Sequence, residues 1–173
     1  MREWVPVSTS PRGRLALVAV REFGSRPFEQ VTVGELASAA GVTTGALYHH
    51  FDSKLGLYRF VRADVERRLL DRMEGASAAA PGGAKAVTPA LVVGFDFAVA
   101  QGFSRLLGDP APGDAEDALA ELLDRLSQPA PAPIGRVLAA AWRAALIAVA
   151  EGVPADQARE VLRSLRVLAA SAD

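Results

Sequence analysis

Apolar residues recur at every third or fourth position along most of this chain, which is the spacing of amphipathic helices. Ser10-Pro11 marks the start of a first helix, which is predicted to reach Phe23 and to end at Gly24. No segment shows the strict alternation of a half-buried strand, and alanine and leucine predominate. The pattern therefore predicts an all-α protein.

Residues 31–54 predict two short helices joined by a tight turn. Thr32 is placed to cap the first of them, and Glu35, three residues later, closes a capping box. Gly41 supplies a residue that readily adopts the left-handed conformation at a helix end. Helices of one to two turns do not make a core alone, so both are expected to pack on the preceding helix as a helix-turn-helix.

The outer side of the second short helix is expected to stay free for a partner. Leu47 and Phe51, four residues apart, share its buried side, whereas Thr44 and Tyr48 share the opposite side with His49 at its edge. In a helix-turn-helix, this free side of the second helix enters the major groove of DNA. None of its residues is acidic, so no carboxylate would face the phosphates.

Residues 10–62 resemble the DNA-binding domain of the TetR family of transcriptional regulators. The most specific part is the run Leu47-Tyr48-His49-His50-Phe51 followed by Ser53-Lys54. The match runs without gaps from Phe28 onward. The matching residues are Phe23, Phe28, Thr32, Val33, Leu36, Ala37, Ala40, Gly41, Val42, Gly45, Leu47, Tyr48, His50, Phe51, Lys54 and Leu57. The rest of the chain matches the family only in helical character.

The residues expected to contact DNA follow partly from their position on the second short helix and partly from the resemblance. They are Thr32, Thr43, Thr44, Gly45, Tyr48, His49, His50 and Lys54. The resemblance implies that Tyr48, His50, Lys54 and Thr32 bind phosphates, and an exposed Lys54 is expected. The start of the recognition helix, with Thr43 or Thr44 as its cap, would present backbone N–H groups and the positive end of its dipole. An alternative for Tyr48 is that it packs at a helix junction.

Base readout is expected to be weak on this helix, because it has no Arg, Asn or Gln to pair with guanine or adenine. Hydroxyl and methyl contacts of Thr43, Thr44 and Ala46, with His49, would remain, and DNA shape would matter more than usual. The adjacent His49 and His50 diverge around a helix and do not have metal-ligand spacing. With no cysteine in the chain, we expect no metal and no cofactor.

A single helix-turn-helix reads few base pairs, so a DNA reader of this kind is expected to be a homodimer. The resemblance implies that the last two helices, predicted at 134–150 and 154–170, form the dimer contact as a four-helix bundle. The predicted contact residues are Leu138, Trp142, Ala145 and Val149 on the first, and Val161, Leu165 and Leu168 on the second. The alternative is that they complete the core of the monomer.

The resemblance also implies a small-molecule effector. Candidate pocket walls are Phe95, Phe97, Phe103 and Trp142, with Asp96, Gln101 and Arg105 as polar groups. The alternative is that the aromatic residues are ordinary core. Because the C-terminal part of the chain, residues 75–173, is short and proline-rich in its middle, a large cavity is not expected there.

The remaining pattern divides the chain into a DNA-binding domain at 10–56, a connecting helix at 57–74 and a regulatory and dimerisation domain at 75–173. A fifth helix is predicted from Thr88 to Leu107, and a sixth from a cap at Asp114 to Ser127. Residues 1–62 carry eight basic and five acidic side chains, and the rest carries eleven and fifteen. A basic head on an acidic body suits a DNA reader.

The function predicted from the sequence is a DNA-binding transcriptional regulator, expected to be a ligand-responsive repressor on a palindromic operator. The alternative is a helical protein-interaction module that uses the helix-turn-helix as a scaffold. No nucleophile–base pair or phosphate-binding glycine loop is visible, so no enzyme is expected. No signal peptide or membrane span is visible either, which predicts a cytoplasmic protein.

Overall fold

The computed structural model describes residues 9–80, 83–110, 117–130 and 133–165, with only the backbone of residues 83 and 84. Within these residues the chain forms nine α-helices, two short 3₁₀ turns and no strand, which confirms the all-α prediction. The helices are α1 (Pro11–Ser25), α2 (Val33–Ala39), α3 (Thr44–Phe51), α4 (Lys54–Ala78), α5 (Val87–Gln101), α6 (Ser104–Gly108), α7 (Ala118–Leu126), α8 (Ile134–Ala150) and α9 (Ala155–Ser164). No described helix combines the length and apolarity needed to cross a membrane.

Helix α1 begins as predicted but ends later. The Ser10 hydroxyl accepts a hydrogen bond from the backbone N–H three residues on, at 3.1 Å, and so caps the helix. The prediction that Gly24 ends the helix is wrong, because α1 continues to Ser25. Pro27 is the terminating residue, since it forces Arg26 before it into an extended conformation, with ψ at 146°.

The single helix predicted over 88–107 is broken in two. Gly102 adopts a left-handed conformation, with φ at 75°, and separates α5 from α6. The break brings the Gly102 carbonyl against Gly24 of α1, where a Cβ atom would stand 2.1 Å from that oxygen. Two glycines far apart in the chain therefore allow α1 to pack directly on α6.

Three other boundaries differ from the prediction. Helix α4 runs past Gly75 to Ala78, because a single glycine in a long apolar pattern does not stop a packed helix. Helix α7 is capped by Asp117, whose carboxylate accepts from the Ala120 N–H at 3.1 Å, and the predicted cap Asp114 lies outside the described residues. Helix α9 ends at Ser164 rather than 170, and residues 166–170 lie outside the described part.

Helix α4 joins the two parts of the molecule. Its apolar side is buried along its whole length, and consists of Leu57, Val61, Val65, Leu69 and Met73. Near its start it packs against α1 and α3, and farther along it packs against α5 and α7. One uninterrupted helix therefore belongs to the cores of both the head (α1–α3) and the body (α5–α9).

Two side chains of α8 make polar contacts with neighbouring elements of the body. Trp142 of α8 is fully buried and donates its indole N–H to the Leu91 carbonyl of α5 at 3.0 Å. Arg143 donates two hydrogen bonds to the Asp117 carboxylate, at 2.6 and 2.7 Å. These hydrogen bonds lower the pKa of Asp117 below its ordinary value. The two contacts orient α8 against α5 and α7.

Candidate nucleic-acid interface

The start of α2 is held by the predicted capping box. The Thr32 hydroxyl accepts from the Glu35 N–H at 3.2 Å, and the Glu35 carboxylate accepts from the Thr32 N–H at 2.8 Å. The hydrogen bonds from Thr32 lower the pKa of the Glu35 carboxyl. The capping prediction is confirmed, and Thr32 remains at the surface.

The turn between α2 and α3 is built as predicted at Gly41, whose φ is 63°. An arginine from α1 secures it, which the sequence did not indicate. Arg14 donates from Nε to the Ala40 carbonyl at 2.9 Å and from Nη2 to the Gly41 carbonyl at 3.4 Å. It also donates to the Thr9 carbonyl at 2.6 Å, so three carbonyl oxygens hold its guanidinium.

Helix α3 is positioned by one cap and two buried side chains. The Thr43 hydroxyl accepts from the Ala46 N–H at 3.2 Å, which identifies Thr43 rather than Thr44 as the cap. Leu47 and Phe51 are buried, as their spacing predicted. The opposite side of α3 must then face away from the core.

That opposite side is exposed and carries no Asp, Glu, Lys or Arg side chain. Thr44, Gly45, Tyr48 and His49 are all exposed, and the Tyr48 side chain is 52% accessible. Tyr48 therefore does not pack at a helix junction. His50 is half-buried, with its ring 5.0 Å from that of His49. The structure thus brings the predicted recognition residues together on one surface.

Lys54 behaves differently from these residues. It is half-buried, so the prediction that it would be exposed is wrong. Its ammonium group lies 4.0 Å from the centroid of the Phe28 ring and donates to two backbone carbonyls of the segment between α1 and α2. The Phe28 ring in turn stacks on Phe23 at 5.7 Å and meets the edge of Tyr58 at 5.1 Å. Phe28 thus packs against both α1 and α4.

An arginine that the sequence analysis missed connects α4 to α6. Arg62 is only 4% accessible, and its Nη1 donates to the Tyr58 hydroxyl at 2.9 Å. The same nitrogen donates to the carbonyls of Leu106 and Asp109, each at 2.8 Å. Burial raises the pKa of Tyr58, despite the nearby guanidinium. Its burial could have been suspected from the sequence, because Arg62 lies four positions after Tyr58 and so shares the inward side of α4.

The four aromatic residues predicted to line a ligand pocket fall into two groups. Phe95 and Trp142 are buried in the core where α5 meets α8. Phe97 is half-buried, lies 5.7 Å from the Phe103 ring, and has the Arg72 guanidinium 4.5 Å above it. All four aromatic side chains thus pack as ordinary core residues or in contacts between helices. That they line a ligand pocket stays a prediction.

One of the polar groups predicted for that pocket has another partner. The Asp96 carboxylate forms an ion pair with Arg159 of α9 at 2.6 Å. A groove of about 510 Å³ lies instead along the outer side of α8. It is lined by Gly108, Pro110, Ala140, Arg143, Ala144, Ile147, Ala148 and Glu151. None of the four predicted aromatic residues contributes to it.

The prediction of which side of α8 forms the dimer contact is wrong. Leu138, Trp142 and Ala145 are buried within the chain's own core. Nearly every position of α8 is apolar, so its sequence pattern does not reveal which side the core takes. Val137 on the other side is 59% accessible, and Val161 of α9 is 60% accessible. On α9, Leu165 is half-buried and Leu168 lies outside the described residues.

Comparison with known proteins points to one family. Residues 17–60 match the model of the bacterial regulatory proteins, tetR family. The HTH-type transcriptional repressor KstR2 of Rhodococcus jostii is 46% identical over 43 residues, which are 25% of this chain and 21% of that protein. The HTH-type transcriptional repressor BepR of Brucella suis is 36% identical over 61 residues, 35% of this chain and 29% of that protein. The chain thus spans less than a third of these relatives.

Solved structures extend the similarity to the body. A tetR-family transcriptional regulator from Streptomyces coelicolor has a TM-score of 0.61 at 23% identity, over 87% of this chain and 78% of that one. The TetR-like regulator LfrR from Mycobacterium smegmatis, solved in complex with proflavine, has a TM-score of 0.58 at 24% identity, over 88% and 92%. The shared fold is an N-terminal helix-turn-helix domain followed by a helical domain.

Proposed function

We propose that this chain is a transcriptional regulator of the TetR family of bacterial regulatory proteins and that it binds DNA through its head. The proposal includes a dimer on a palindromic operator, repression released by a small molecule, and a cytoplasmic location. The observation that carries it is the exposed side of α3, where hydroxylic, aromatic and imidazole side chains lie together with no carboxylate among them.

The start of α3 is suited to approach the edges of the bases. The Thr43 hydroxyl caps the Ala46 N–H, and the backbone N–H groups of Thr44 and Gly45 come just before it in the first turn of α3. The positive end of the helix dipole lies at this first turn. Gly45 has no side chain, so α3 can come close to the duplex. In the proposal, Thr43, Thr44 and His49 contact base edges, with threonine methyl groups against thymine methyl groups.

Phosphate contacts are assigned to groups at the margins of this surface. The Tyr48 hydroxyl and the His50 imidazole are proposed to bind phosphates next to α3, with Thr32 at the start of α2 as a further contact. Arg12 adds a positive charge at the surface, where its guanidinium lies 4.8 Å from the Phe60 ring. These contacts set the register on DNA and make binding sensitive to salt.

The first prediction is that the protein binds the DNA flanking its own gene, and that Tyr48→Phe weakens this binding by about tenfold, because one hydrogen bond to a charged phosphate is lost. Fluorescence anisotropy over a range of salt concentrations measures the DNA affinity of the wild-type protein and of the Tyr48→Phe variant. The unfolding temperature should not change, since Tyr48 is exposed. Absence of any salt-sensitive binding by the wild-type protein would favour the alternative of a protein-interaction module.

The proposed dimer uses the outer side of α8 rather than the predicted one. Val137, Ala140 and Ala144 form an exposed apolar line on this helix, and the adjacent groove extends it to Gly108 at the end of α6. Small side chains let two helices approach closely, and a second copy would cover the exposed Val137. Val161 places an exposed apolar side chain on α9 as well.

The second prediction is that Val137→Glu combined with Ala144→Glu gives a monomer, because two buried carboxylates per copy would face each other across the two-fold axis. Analytical ultracentrifugation measures the mass. Val93→Glu is the matched control, since this valine is exposed on α5, and it should leave the dimer intact. If the doubly substituted chain kept the dimer mass, α8 would not be the interface.

The proposed response to a small molecule uses contacts between head and body. Helix α6 touches the head through the close approach of Gly24 and Gly102, and Arg62 binds the carbonyls of Leu106 and Asp109 at its end. A change in the position of α6 would therefore act on α1 and α4 directly. Phe95, Phe97, Phe103 and Trp142 remain the proposed region of the effector, close to this helix.

A further inference from the structure

The guanidinium of Arg62 in α4 uses only one of its nitrogen atoms for hydrogen bonds. Nη1 donates to three oxygen atoms, which belong to the Tyr58 hydroxyl and to the carbonyls of Leu106 and Asp109. Nε and Nη2 are buried, and no group in the described part of the chain accepts a hydrogen bond from either. Arg62 is only 4% accessible, and buried donors without an acceptor are costly, above all on a charged group. One edge of this guanidinium therefore lacks acceptors.

The positive charge of Arg62 also lacks a counter-ion. Arginine stays protonated in proteins, and among the residues that the structure describes no Asp or Glu forms an ion pair with it. The three groups that accept from Nη1 are neutral, because two are carbonyls and burial raises the pKa of the Tyr58 phenol. Burial also raises the pKa of the Asp109 carboxyl, although the charges of Arg105 and Arg62 act against that rise.

The carboxylate of Asp117 is already engaged by another arginine. Hydrogen bonds from Arg143 are the main cause of its lowered pKa, and the charge of Arg62 contributes least. Both oxygen atoms of Asp117 accept from Arg143, at 2.6 and 2.7 Å, and one of them also accepts from the Ala120 N–H. Asp117 therefore balances Arg143 and caps α7, and it leaves the Nε–Nη2 edge of Arg62 unpaired.

The chemistry of that edge matches a carboxylate. The N–H bonds of Nε and Nη2 are held parallel in one plane, at the spacing of the two oxygen atoms of a carboxylate. A monoanion would balance the single charge, whereas a dianion such as phosphate would bring excess negative charge into a buried site. The buried neighbours of Arg62 on α4 and α6 are apolar, namely Val61, Val65, Leu106 and Leu107.

We propose that the Nε–Nη2 edge of Arg62 binds the anionic group of the effector, and that the effector is a small organic carboxylate with an apolar body. This inference rests on the proposed response to a small molecule and names the chemical class of the effector and the residue that recognises it. The other side of the same guanidinium holds the carbonyls at the end of α6, so a ligand on Arg62 would act on the contact between α4 and α6. Because the free edge is closed off from solvent, neighbouring groups must move to admit the ligand.

Two carboxylates with different apolar bodies, octanoate and phenylacetate, test the inference on the full chain without DNA. Calorimetric titration should show saturable binding of at least one of them, and that carboxylate should raise the unfolding temperature. The uncharged counterparts octanamide and phenylacetamide, at the same ionic strength, should do neither. Binding of the amides as tight as that of the acids would overturn the inference, and so would the absence of binding by both carboxylates.

Arg62→Lys tests the residue itself, because lysine keeps the positive charge but lacks two parallel donors. The affinity for the carboxylate that binds should fall at least about tenfold, since a charge-assisted hydrogen bond is lost. Arg67→Lys is the matched control, because Arg67 is an exposed arginine of the same helix, and it should keep the wild-type affinity. Unchanged affinity in Arg62→Lys, or an equal loss in both variants, would contradict the inference.

A nuclear magnetic resonance measurement on the wild-type protein does not depend on the folding of any variant. The Nε–H resonance of Arg62 should move to lower field and exchange more slowly with water when the carboxylate is added, and the amide should leave it unchanged. A resonance that does not respond to either carboxylate would overturn the inference, since a buried water would then explain the free edge. If the carboxylate moved this resonance but left DNA affinity unchanged, the inference would stand and the proposed release from DNA would fail.

Discussion

Thr44→Glu is expected to weaken DNA binding about 100-fold, because it places a carboxylate on the exposed side of α3 against the phosphates, where like charges cost several kcal/mol. Thr44 is the first residue of α3 and is exposed. An acidic side chain in the first turn of a helix is favourable with the dipole, so the fold should not suffer. Anisotropy with operator DNA gives the affinity, and thermal unfolding monitored by circular dichroism gives the stability.

Gln157→Glu is the control for this substitution. It adds the same charge to an exposed position of α9, in the body, and should change DNA affinity by no more than about twofold, because charges beyond a Debye length are largely screened. If Thr44→Glu bound DNA as tightly as the control, the exposed side of α3 would not be the surface that meets DNA.

Gly24→Ala is expected to destabilise the protein by about 3 kcal/mol, the upper end of what overpacking usually costs. The new Cβ would stand 2.1 Å from the Gly102 carbonyl oxygen, which belongs to the backbone and cannot rotate away. Either α1 or the α5–α6 turn must move, so the contact between head and body would open. The unfolding temperature should fall by about 6–12 °C for a chain of this size.

Gly75→Ala is the matched control, because it makes the same change in a helix where no atom lies within 4 Å of the new Cβ. Alanine is the better helix former, so this variant should gain up to about 1 kcal/mol of stability. Calorimetric scans of the two variants side by side provide the measurement. Equal stability of Gly24→Ala and the wild type would contradict the tight packing of α1 on α6.

Local features of the head could be read directly from the residues. The Ser10 cap, the box formed by Thr32 and Glu35, and the left-handed Gly41 each depend on hydrogen bonds or backbone angles within four positions of the residue. The buried side of α3 was likewise predictable, because Leu47 and Phe51 are four residues apart and so share one side of the helix. In these cases the neighbouring residues supply most of the physical cause.

Other features depend on segments distant in the chain. Gly24 reads as a helix end, yet it lies inside α1, where the Gly102 carbonyl approaches it from the body. Lys54 reads as an exposed cation, yet two carbonyls more than twenty residues earlier hold it. Arg62 drew no attention because its partners at the end of α6 lie more than forty residues later.

By itself, then, the sequence determined the helical class, the caps and turn of the head, and which side of α3 stays in solvent, since each follows from short-range hydrogen bonding and a clear division of apolar and polar positions. Only the tertiary structure decided which side of α8 is exposed, where α5 breaks, and what Lys54 and Arg62 bind. Helix α8 is apolar almost all round, so the choice of side rests on which neighbours pack against it.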